Sequence, residues 1–139
     1  MGRSYWLLKT EPETYSFEQL LKDGKTNWNG VRNFQARNFL KTCARGDLAL
    51  IYHSGGIKAV VGIAEVTRDA YSDPDPKKPG EWFQIDLAPV KALRQLVTLA
   101  EIKAEAILST IHLIKQSRLS VMPVTAAHYA KVLKMGGEK

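Results

Sequence analysis

Cysteine is nearly absent from this chain. The one thiol among 139 residues, Cys43, cannot close an intrachain disulfide, and no Cys/His group has zinc-ligand spacing. Neither a disulfide-stapled fold nor a metal site is expected. The chain is 45% hydrophobic, which is enough to bury a core without such aids. It also lacks any apolar run near the roughly 20 residues that a membrane span needs, and "MGRSYWLLKTEPE" has no apolar signal-peptide segment. A soluble, cytoplasmic protein with no membrane partner is the expectation. A P-loop, a dinucleotide fingerprint and a G-x-S-x-G nucleophile turn are missing too, so no cofactor is expected. Catalysis has little to draw on. Cys43 is read late in a helix beside Lys41 and Arg45, away from the N-terminal setting that lowers a thiol pKa, and Ser54 follows His53 with no oxyanion-hole signature.

Acid is missing from two stretches. Lys25 to Arg45 holds five bases and no carboxylate, and Leu108 to Met135 holds four and none, while acids collect between Glu65 and Asp86. Overall, 20 Lys+Arg against 14 Asp+Glu give +6 and a pI near 9.5. Such a surplus suits a polyanion if it gathers on one face.

What is present reads as short elements. "YWLLK" is an apolar strand stopped near Pro12. Ser16 with Gln19 forms a capping box for the helix "FEQLLKD", closed by Gly24, and Asn33 caps a second helix through "FQARNFLKTCA" to Gly46. "DLALIYHS" and "AVVGIAEVTRDAY" form a hairpin around "GGIK", and "DPDPKKPG" (73 to 80) is a surface loop before the strand "WFQIDLAPV". Thr98 with Glu101 caps "IKAEAIL". "LSVMPV" is a strand that tolerates Pro123 only at an edge or end, and Thr125 opens a last helix. Five or six strands among short helices, without regular βαβ alternation, predict one α+β domain built on a small, mostly antiparallel barrel.

In this order, "YWLLKTEP", "WNGVRNFQARN", "YHSGG" and "RLSVMPV" resemble the EVE domain, a branch of the PUA-like barrels that includes the thymocyte nuclear protein family. The resemblance runs from Tyr5 to about Leu133. It implies a single EVE domain over residues 1–139, a PUA-like pseudobarrel whose cleft accepts a flipped, modified base of RNA or DNA. A flipped base needs an aromatic or apolar clamp and fixed polar groups, and its backbone needs cationic or N–H donors. A small enzyme, or a binder of a free nucleobase-like metabolite, could use the same cleft. Where relatives carry a longer loop with extra aromatics, this chain has "DAYSDPDPKKPG" and runs straight to Glu81 and Trp82.

The resemblance directs attention to particular residues. Trp28, in a turn-like "TNWNGV", is read as the stacking ring; Trp6, in a strand, is read as structural with one face open to the cleft. Arg32, Asn33, Arg37 and Asn38 are placed along the cleft, although Asn33 also suits a helix N-cap. Tyr52, His53 and Ser54 end a strand at a glycine turn and offer a ring, a tunable nitrogen and a hydroxyl. Lys9, Arg118 and Ser120 are brought to the same cleft, the two cations as phosphate contacts.

Overall fold

The computed structural model describes residues 3–75 and 77–138. Pro76, within the expected 73 to 80 loop, lies outside them. Six strands form one mixed sheet: β1 (Tyr5–Thr10), β2 (Thr26–Trp28), β3 (Leu48–His53), β4 (Ala59–Ser72), β5 (Phe83–Thr98) and β6 (Val121–Val124). Their order across the sheet is β2-β5-β4-β3-β1-β6. β1 and β3 run parallel, and every other neighbouring pair is antiparallel. β2 and β6 lie at opposite edges, so among the described residues the sheet is open. The α+β class and the mostly antiparallel pairing are as expected, but the barrel does not close.

β1 and β3 lie inside the sheet and are covered on both faces. Trp6, Leu7 and Leu8 are buried in succession, as are Ala49 to Tyr52. Burial on both faces is why these segments read as unbroken apolar runs and not as alternating ones. Their parallel pairing requires a crossover, which α1 (Phe17–Asp23), β2 and α2 (Phe34–Leu40) supply.

The helix starts follow their caps. Ser16 Oγ accepts from the Gln19 N–H, and Gly24 closes α1 at φ 77°, a left-handed conformation that favours glycine. The reciprocal half of that box is not made, because Gln19 donates to Asp23 instead. Thr98 and Glu101 complete theirs at α3 (Leu99–Ala104), and Thr125 caps α5 (Ala126–Met135). Pro123 sits in the edge strand β6, where a missing N–H costs no ladder bond.

Four elements differ from the sequence expectation. α2 stops at Leu40, not near Gly46, because the chain turns back so that Ala44 N–H can donate to Asp47; Cys43 therefore lies in that turn and not in the helix. β5 continues through the polar stretch to Thr98, paired along β4. β2 and the single turn α4 (His112–Lys115) were not anticipated.

Two buried features lock the sheet. Asp47 is only 5% exposed, and its carboxylate accepts from Ser4 N–H (3.0 Å), Trp6 Nε1 (2.9 Å) and Ala44 N–H (3.0 Å). Gly62 stands where β4 bulges against β3, and a Cβ there would lie 2.4 Å from the Phe17 ring, so only glycine lets α1 seat on the sheet.

Candidate functional site

A cavity of about 560 Å³ opens beside the end of β1. One wall is the chain leaving β1, with Lys9, Thr10, Glu11, Thr14 and Tyr15; the other is β2 and its exit, from Thr26 to Arg32; Ser120 closes the end. Three of the four sequence segments singled out above therefore converge on it.

Trp28 is on this wall, as expected, but in a different setting. It ends strand β2 opposite Ile85, packs partly against the core, and meets Tyr15 edge-on with ring centroids 6.4 Å apart. The turn-like reading failed because a three-residue strand pairing with distant β5 leaves no local periodicity to detect. Tyr15 is a site residue that the sequence did not single out. The Thr10 hydroxyl donates to its carbonyl (2.7 Å), and its own hydroxyl donates to Asp23 (2.8 Å), so the ring is held at both ends. Asn27, also unanticipated, is oriented by Gln84 Oε1 at 3.1 Å.

Arg32 reaches the cavity but is not free for phosphate. Gly30, at φ 80°, turns the chain so that its N–H and Arg32 Nη1 both donate to Asp73 Oδ2 at 2.9 Å, while Arg32 Nε lies 3.5 Å from Asp75. Burial pushes the Asp73 carboxyl up, yet the bonds from Arg32 and Gly30 and the nearby positive charge outweigh it and hold the group below the usual carboxylate range. The guanidinium also lies over the Trp82 ring, 5.2 Å from its centroid. One cation faces two carboxylates here, so the acid-free stretch seen along the chain is not acid-free in space.

Arg37 and Asn38 are not on this cavity. Arg37 Nε donates to Asn38 Oδ1, its Nη1 donates to the Glu81 carbonyl, and the group lies near both the Phe34 and Trp82 rings, which stack on each other. Trp6 is buried and spends its N–H on Asp47, which rules out a cleft-facing role. Tyr52 is buried as well, its ring 5.8 Å below the Lys9 ammonium. Ser54 bonds back to the Thr10 carbonyl and borders a smaller cavity with Lys9 and Lys58. Asn33 is the α2 N-cap, its Oδ1 accepting from Ala36 N–H at 2.9 Å, and with Arg118 it lines a separate cavity of about 350 Å³. Lys9, Trp28, Arg32 and Ser120 are the expected residues that line the main cavity. As for the thiol, burial pushes Cys43 far up, and it stays protonated.

His53 acts at one remove. Its Nε2 accepts from the Phe17 N–H at 3.1 Å, satisfying an otherwise open donor at the start of α1, the helix that follows Tyr15. Burial lowers its pKa, against the opposing pull of Glu11 and Glu18. Because the folded pKa is depressed, the neutral ring's contribution is present above the ordinary value near 6.5 and is lost as pH falls through the folded value. Melting temperature should therefore drop on acidification below about pH 6.5. His53→Gln, which can still accept from Phe17 but does not titrate, should flatten that part of the profile; parallel profiles for the two proteins would remove His53 from the account.

Against known proteins, the EVE domain family model matches residues 4–135. Thymocyte nuclear protein 1 of Gallus gallus is 32% identical over 97% of this chain and 69% of its own length. A hypothetical protein from Leishmania major superposes with TM-score 0.92 at 39% identity, covering 98% of this chain and 96% of that one. The human THYN1 protein, solved in complex with 5-methylcytosine-containing DNA, superposes with TM-score 0.90 at 28% identity over 98% and 99% of the two chains.

Proposed function

Since the chain belongs to the EVE domain family, we propose that it is a non-catalytic nucleic-acid-binding domain whose main cavity takes one modified base turned out of its strand. The observation that carries this reading is the cavity's make-up beside the human relative's DNA complex. Trp28 and Tyr15 supply ring surface, Asn27, Asn29, Thr10 and Ser120 supply hydrogen-bonding groups, and about 560 Å³ lies within the range of small-ligand pockets. A base inside a duplex cannot enter such a concavity, so it must leave the stack.

Division of labour follows from the geometry. Ring contact provides sequence-tolerant affinity, and the amides fixed by neighbours such as Gln84 provide edge discrimination. Arg32 holds the Gly30 turn to Asp73 and so shapes the wall beside Trp28.

The test is a binding panel of oligonucleotides that differ at one cytosine: unmodified, 5-methyl and other 5-substituted forms, in DNA and in RNA, each across a salt series. One modified form should bind more tightly than cytosine, with affinity falling as salt rises because counterions are released. Equal binding of all forms would remove base reading. Tight, salt-independent binding of a free nucleobase would make this a small-molecule site.

A further inference from the structure

We infer that the second cavity, between α2 and the 116–119 turn, is the subsite for the phosphodiester next to the base in the main cavity; this rests on the base-binding reading above. The two cavities are one residue apart on both sides. Arg32 lines the first and Asn33 the second, and Ser120 lines the first where Arg118 and Leu119 line the second. A strand with one nucleotide in the main cavity therefore passes directly over this ridge.

The ridge is held rigidly. Lys9 N–H donates to the Ser120 carbonyl at 3.0 Å, and the Lys9 ammonium bonds the Ser117 carbonyl. Gln35 Nε2 to Gln116 Oε1, at 2.9 Å, ties α2 to the opposite wall.

The chemistry suits an acceptor-only anion. Among the described residues, no acid lines this cavity. Arg118 is exposed, and no carboxylate lies within ion-pair distance of it among the described residues. A backbone N–H can only donate, so the Asn33 oxygen is committed to Ala36, and the group Asn33 has left is its NH₂ donor. Lys9, half-buried beside the ridge and influenced by Lys58, also lacks a carboxylate at ion-pair distance among the described residues. On the β2 side of the boundary, Arg32 faces Asp73 and Asp75, so that part of the rim does not favour phosphate. The charge asymmetry sends the backbone over 116–119.

Two substitutions test this without disturbing the cap or the core. Arg118→Ala removes an exposed cation. Asn33→Asp keeps an N-cap oxygen but turns the free donor into an anionic acceptor. With a labelled oligodeoxynucleotide carrying one 5-methylcytosine as probe, each should weaken binding about tenfold or more. Arg118→Ala should also lower the salt slope by about 1, whereas Trp28→Ala should weaken binding with the slope unchanged. Wild-type affinity and slope in both the Arg118 and Asn33 variants, with Trp28→Ala still impaired, would overturn the subsite and leave the base pocket standing. A wild-type protein that ignores this probe and every modified form of the panel above would overturn both.

Discussion

Asp47→Ala should lower stability by about 3–4 kcal/mol, and with it the melting temperature by roughly 10 °C. The carboxylate accepts three N–H donors, and they do not lose equally. Ser4 and Ala44 belong to exposed residues and can recover water, but Trp6, 6% exposed, cannot. An orphaned buried donor costs about 1–3 kcal/mol, to which the loss of charge-assisted bonds adds. The check is a double-mutant cycle with Trp6→Phe. Asp47→Ala should cost clearly less once the indole N–H is gone, and identical costs in both backgrounds would show that the indole bond contributes nothing.

Trp28→Ala should reduce affinity for the preferred modified oligonucleotide by about 1–3 kcal/mol, or roughly 5- to 150-fold. Part of the indole packs against the core, so some stability should go too. Trp28→Leu separates the roles, since it keeps apolar bulk and removes the aromatic face. It should restore most of the melting temperature and little of the affinity. If leucine restores both, Trp28 is a core residue that borders the cavity without clamping anything.

Local chemistry made much of the fold legible. Ser16, Asn33, Thr98 and Thr125 each accept the N–H three residues on, and such caps are written in neighbouring residues. The site was less legible because its geometry is made by distant partners. Arg32 looked like an unpaired cation as long as its neighbours in sequence were counted; its carboxylates come from residues 73 and 75, beyond two intervening strands. His53 was placed at the site in sequence terms, yet its ring accepts from the start of α1. Tyr15 carried no motif of its own, and only the bonds from Thr10 and to Asp23 show why it is fixed there.

The position of β1 between β3 and β6 bears on how the chain is made. Leu7 and Leu8 emerge from synthesis well before one of their two pairing partners, Met122 and Val121 of β6. Until then β1 has an unpaired, apolar edge, the kind of surface that seeks pairing with other chains. Closing the long loop between β1 and β6 must precede that ladder, which makes late, slow assembly the rule for such a topology. Because the Ser120 carbonyl reaches the Lys9 N–H only when β6 docks, the cavity is completed only at that step, and a chain that stops short of β6 has a hydrophobic edge beside the place where the folded domain has this cavity.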